Sequence, residues 1–191
     1  MSSFSSSDEV VGLWNCLHDG SLKSLSSDSL DRSIELLIDV PYLWSFHSLP
    51  AHTRFRLRLQ AVSAVEALRF VAWPCDPVIP EGSSWEDSEA IRKSFYAKGR
   101  LESEEWQAVA GRLVKTEEYE ISHATIATRE PNIAILTLQL LNDDLSDYPE
   151  IRITAERIHF FLGPDQELSL PEFLDFGESY WRAFAERRPK L

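Results

Sequence analysis

A histidine beside an aspartate, His18-Asp19, opens the stretch "LHDGSLKSL" at residues 17–25, and it is the first pairing in the chain whose residue types suit metal binding or acid–base chemistry. Metal-dependent sites built on such a pair need further His and Asp residues, converging from helices. Here the surroundings read as strand, and no second HD or HxxE pattern follows. Gly20 supplies a permissive backbone and Asp19 suits the first position of a turn. The pair is expected to turn the chain at a strand start.

The remaining candidates are weighed in the same way. His47 and His52 stand five apart in "FHSLPAH", a spacing that would not align two ligands on a helix, and Pro50 favours a loop. His123 and His159 fall in predicted strands. "NDDLSDYPE" gathers Asp143, Asp144, Asp147 and Glu150, but without the spacing and central glycine of a calcium loop; a solvated hairpin loop is expected, and "DSLD" (Asp28, Asp31) reads alike. GxSxG, P-loop and GxGxxG signatures are absent, and neither Cys16 nor Cys75 has an obvious basic neighbour. No catalytic residue, metal ligand or cofactor is assigned.

Two features point to binding instead. Arg54, Arg56 and Arg58 alternate with Phe55, Leu57 and Leu59 in "RFRLRLQ". On a strand the arginines share a face, roughly 6–7 Å apart, forming either a solvated row salt-bridged to a neighbouring strand bearing Glu35 and Asp39, or an anion-recognition ridge. Trp44 and Phe46, with Trp73 and Trp85, lie outside clear core stripes, where aromatic residues plug a core or anchor a partner. The candidate binding residues are Arg54, Arg56, Arg58, Trp44 and Phe46.

Composition bounds the function classes. The 191 residues suffice for one well-buried domain, and 43% are apolar, with ten Phe, six Trp and five Tyr to fill a core. No apolar run approaches the length of a membrane helix, and the N-terminus lacks the basic-then-apolar pattern of a secretory signal. Two distant cysteines make no disulfide framework, which points to reduced thiols in a cytoplasmic protein. The net charge of −12 repels phosphate backbones and anionic membranes, so neither nucleic acid nor membrane is an expected partner.

The elements that must carry these residues follow from hydrophobic period. "RSIELLIDV" alternates Ile34, Leu36, Ile38 and Val40 against Ser33, Glu35 and Asp39, the pattern of a half-buried strand. "RFRLRLQ" repeats it, and "VEALRFVAW" shifts the apolar residues to Leu68 and Phe70, implying a bulge or tight turn between two strands. "PYLWSFHSLPAH" reads as a connection stopped by prolines. Helices are predicted in "SSWEDSEAIRKSFYAKG" and in "SEEWQAVAGRLVK", where Trp106, Val109, Ala110, Leu113 and Val114 make a stripe. Strands return in "EISHATIAT", "IAILTLQLL" and "IRITAERIHFFLG". Ser169 and Glu172 form a capping box for a last helix whose stripe, Leu170, Phe173, Leu174, Gly177, Trp181 and Phe184, includes a glycine that predicts close approach to another element.

The opening, "LHDGSLKSLSSDSLDRSIELLIDV", resembles uncharacterised bacterial proteins that start with a histidine–aspartate turn followed by an alternating strand pair, including some immunity proteins of bacterial toxin systems. The resemblance spans residues 13–70. It implies a small, acidic, non-catalytic binding protein and identifies no functional residue.

The expected architecture is α+β: a tail over 1–10, then one domain over 11–191. It comprises a β-unit (16–73), a helical middle (84–116), a second β-unit (119–163) and a C-terminal helix (169–187). The antiparallel sheet of six to eight strands is a sandwich or strongly curved, and the pattern shared by "VEALRF" and "AERIHF" marks two pseudo-repeated units. The expected function is non-enzymatic binding of a protein partner, immunity-like or adaptor-like. The alternatives are a small-molecule or lipid pocket between sheet and helices, with or without hydrolytic activity, and a structural subunit of an oligomer.

Overall fold

The computed structural model describes residues 9–71, 79–96, 100–115, 119–129, 133–142, 144 and 147–187. The described chain runs β1 (Glu9–Gly12), α1 (Trp14–Leu17), β2 (Ser21–Asp28), β3 (Ser33–Asp39), α2 (Pro41–Phe46), β4 (Arg54–Gln60), β5 (Ala64–Val71) and α3 (Trp85–Tyr96). It continues through β6 (Arg100–Glu104), α4 (Trp106–Lys115), β7 (Tyr119–Arg129), β8 (Ile133–Leu141), β9 (Pro149–Ala155), β10 (Arg157–Leu162), β11 (Gln166–Leu168) and α5 (Leu170–Arg187). Every strand pairing is antiparallel, so the expected α+β class is observed with the strongly curved sheet of its two alternatives, built from eleven strands among the described residues in place of the expected six to eight.

Alternation gives the sheet an inside and an outside. Ile34, Leu36 and Ile38 of β3 stand opposite Leu59, Leu57 and Phe55 of β4, all buried. The hydrogen-bonded order is β11-β10-β4-β3-β2-β7-β8-β9-β5-β6, with β1 beside β7. Only Ala61–Ser63 separate β4 from β5, and only Glu156 separates β9 from β10, although the members of each pair lie far apart in that order. The Glu156 N–H donates to the Gln60 carbonyl (3.1 Å) and the Ser63 N–H to the Thr154 carbonyl (2.9 Å). Thus β4–β5 and β9–β10 act as two long bent strands paired with each other, and the sheet closes on itself as a barrel. Ala61 adopts φ 52 at the bend.

The pairing is two-fold symmetric. Two three-strand meanders, β2-β3-β4/β5 and β7-β8-β9/β10, join first strand to first strand and last to last. Their first strands meet at Ser21 and Glu120, and each carries a register shift soon after, between Leu22 and Ser24 and between Ile121 and His123. The two-unit reading of the sequence matches this outline, but its marker does not. "VEALRF" lies wholly past the bend in β5, whereas "AERIHF" straddles the other bend.

Helices complete the core. Leu13, Cys16 and Leu17 around α1 pack towards β7, and Val109 and Leu113 of α4 towards β2 and β5. Phe173 of α5 stacks on Phe160 and meets Phe55 edge-on. The described interior is one continuous apolar cluster. Pro41 starts α2, because a missing N–H costs nothing at a first helical position.

Several expectations are corrected. Glu9 and Val10, placed in the tail by the sequence, pair with Thr128 and Ala127 of β7. The helical middle is interrupted by β6, which pairs with β5. The bulge or tight turn expected between β4 and β5 is a three-residue bend, Ala61–Ser63, and the two strands do not pair with each other. On β5 the buried residue is Ala67, in phase with β4, while Leu68 is half-buried on the other face. Val114 is 57% exposed and leaves the α4 stripe. The capping box stands: the Ser169 N–H donates to Glu172 Oε2 (2.7 Å) and Ser169 Oγ accepts from the Glu172 N–H (3.4 Å).

Candidate functional site

Strand register builds one continuous outer face across β2, β3, β4 and β10. Ser26, Glu35, Arg58 and His159 form one cross-strand row; Ser24, Leu37, Arg56 and Phe161 form the next; Ser21, Asp39 and Arg54 form the third. The three arginines therefore share a face, as their spacing requires, with acidic neighbours on β3 and an aromatic and a histidine on β10.

The arginines are not equivalent. Arg56 is consumed by the fold: its Nη2 donates to the Pro164 carbonyl (2.6 Å), its guanidinium lies 4.4 Å over the Phe161 ring, and its Nη1 is 3.8 Å from Glu35. Arg54 faces Asp39 and Arg58 faces Glu35, yet among the described residues neither has an ion-pair partner within 4 Å. Asp39 instead accepts a 2.9 Å hydrogen bond from Trp44 Nε1. His159 Nδ1 lies 2.6 Å from Glu167 Oε1. The row thus combines part of the salt-bridged surface with two uncommitted cations at its ends.

The corresponding face of the other meander differs. On β9, the counterpart of β4, Arg152 meets Glu150 at 2.5 Å and Glu66 at 3.9 Å, and Glu150 also accepts from Gln139 Nε2 (2.8 Å). That face satisfies its own charges.

Trp44 and Phe46 part company. Tyr42 and Phe46 lie one turn apart on α2 and face α5, where Phe46 meets Tyr180 edge-on at 5.4 Å. Trp44 points the other way, to Asp39 and the His52 ring (5.9 Å). Trp44 borders the arginine row and Phe46 does not. Trp85 is 76% exposed on α3, and Trp73 and Cys75 fall outside the described residues.

The histidines also separate. His18 lies tilted against Trp14 (ring centroids 4.3 Å apart), and Asp19 Oδ2 sits 3.0 Å from its Nδ1 without forming a hydrogen bond. Asp19 takes φ 56, so the turn is made by the aspartate. Gly20 serves close approach instead: a Cβ there would lie 2.8 Å from the Leu17 carbonyl oxygen and 3.0 Å from Val40. His47 Nε2 reaches the Phe176 carbonyl oxygen at 3.0 Å, away from His52.

The acidic loop is the cluster that the sequence misjudged. Asp144 is exposed, but Asp147 is 6% and Glu150 4% exposed. Asp147 Oδ2 accepts from Tyr119 Oη (2.5 Å) and Arg112 Nε (2.9 Å), and Arg112 forks onto Glu104 (2.6 and 2.9 Å). Burial first, and then the bond to Asp147, raise the Tyr119 hydroxyl above its ordinary pKa. Asp143 lies outside the described residues. No sequence signal marked Asp147, because its cations come from α4 (Arg112, 2.9 Å) and β5 (Arg69, 3.9 Å); Glu150 pairs with Arg152, its neighbour two residues on along β9.

Among the described residues no helix is long and apolar enough to cross a membrane. No protein-family model matches the chain, and neither a curated protein nor a solved structure is detectably similar to it.

Proposed function

We propose that this chain is a cytoplasmic, non-enzymatic domain that binds a protein partner through the outer face of β3, β4 and β10. The observation that carries this reading is the pair Arg54 and Arg58, held on one strand without ion-pair partners among the described residues, in a protein of net charge −12. Guanidinium forks on a rigid strand suit carboxylates of a partner, and Trp44 at the end of the row supplies an aromatic contact. The resemblance read in residues 13–70, to uncharacterised bacterial proteins that include some immunity proteins, favours a stoichiometric binder. The charged groups elsewhere support binding over catalysis, since Asp147, Tyr119, Arg112 and Glu104 are engaged with one another and Tyr119 is fully buried.

The test is affinity capture at low salt from lysate of the source cells, using the wild type, Arg58→Glu, Arg54→Glu and, as a remote control, Arg182→Glu. One stoichiometric partner retained by the wild type and Arg182→Glu but lost by both row variants supports the reading. Capture indifferent to Arg54 and Arg58 removes it.

A further inference from the structure

Resting on that reading, we infer that the partner presents an extended acidic segment whose carboxylates stand four residues apart and flank an apolar residue. Arg54 and Arg58 are separated by four residues of strand, about 13 Å. Arg56 lies midway, but its guanidinium is tied to Pro164, Phe161 and Glu35 and offers no open fork. Its row instead contributes the half-buried Leu37 on one side and Phe161 on the other. The surface therefore carries an open cation at each end of β4, and across its middle row Leu37 of β3 and Phe161 of β10 flank the engaged Arg56.

An extended segment has side chains on one face at every second residue, so residues i, i+2 and i+4 would meet these three positions together. Carboxylates at i and i+4 meet Arg54 and Arg58, while an apolar side chain at i+2 covers Leu37 and Phe161. On a helix the carboxylates at i and i+4 would share a face only about 6 Å apart, and the apolar residue at i+2 would point to the opposite side. The matching face of β9 cannot make this offer, because Arg152 is already held by Glu150 and Glu66.

Two labelled peptides of equal composition test the inference, GTETLTETG and GTETLETTG. The first sets both Glu residues and Leu on one face of an extended chain; the second turns one Glu to the opposite face. Fluorescence anisotropy at low ionic strength is read with the wild type, Arg54→Glu, Arg58→Glu and Arg182→Glu, each first shown to melt with the wild type. Saturable binding of GTETLTETG, at least tenfold tighter than GTETLETTG and at least tenfold weakened in each row variant but not in Arg182→Glu, is the expected result. No saturable binding, or equal binding of the two peptides, overturns it. If lysate capture depends on Arg54 and Arg58 while the peptides are not distinguished, the protein-binding reading stands and the extended acidic segment falls.

Discussion

Gly177 of α5 lies directly against the backbone of Asn15 in α1: a Cβ at Gly177 would stand 2.3 Å from the Asn15 carbonyl oxygen and 2.5 Å from its carbon. The same carbonyl accepts from Trp181 Nε1 (3.0 Å) and Tyr42 Oη (3.4 Å), so three elements meet there. Both sides of the contact are backbone, and the only relief is to move the helix. Gly177→Ala should destabilise the domain by roughly 3 kcal/mol, read by denaturant unfolding. Gly111, on an open face of α4 with nothing near its Cβ position, is the contrast. Gly111→Ala should stabilise by about 0.5–1 kcal/mol, and the same sign at both glycines would refute the close-contact account.

Arg112 links the half-buried carboxylate of Glu104 to the buried one of Asp147. Arg112→Met strands Asp147 in the interior and should cost about 3–5 kcal/mol. Tyr119→Phe removes one bond to the same oxygen and should cost about 1–2 kcal/mol. A small effect of Arg112→Met in equilibrium unfolding would show that the network is not closed in solution.

Burial, the largest influence, pushes the Cys16 thiol from 9.0 up to about 12, while its Sγ donates to the Phe173 carbonyl (3.1 Å). The folded state therefore holds this proton more tightly than the unfolded chain. The resulting stability is intact below pH 9 and drains away between pH 9 and 12, by up to about 1.4 kcal/mol per pH unit for one group. In a Cys75→Ser background the native thiol should resist alkylation at pH 8 and react on unfolding. Rapid labelling of the native protein would contradict the burial.

At the other pH extreme, the hydroxyl and backbone N–H of Ser169 hold the Glu172 carboxyl below its ordinary pKa. Its contribution is present above the unfolded value of 4.5 and lost as pH falls through the folded one. Glu172→Gln should lower the melting temperature at pH 7 and converge with the wild type in strong acid. Ser169→Ala should cost about 1 kcal/mol at neutral pH. A Glu172→Gln difference that persists unchanged at pH 2 would argue against the capping role.

Local chemistry was legible in the sequence where period and burial coincide. Period two put Ile34, Leu36 and Ile38 inside and Arg54, Arg56 and Arg58 on one face, because a side chain's direction on a strand is set within a few residues. The capping box and the need for a small residue at Gly177 are likewise local. The barrel closure was not legible, since it rests on Gln60 meeting Glu156 and Ser63 meeting Thr154, nearly a hundred residues apart. Nor was the fate of the charges. Sequence alone made Asp147 a solvated loop residue and the three arginines equals. The tertiary fold buried Asp147 under Arg112 and Tyr119, and engaged Arg56 with Pro164 and Phe161 while leaving Arg54 and Arg58 without ion-pair partners among the described residues. Side-chain direction is a property of the strand, but the partner waiting in that direction is chosen by whichever distant segment the closed sheet brings alongside.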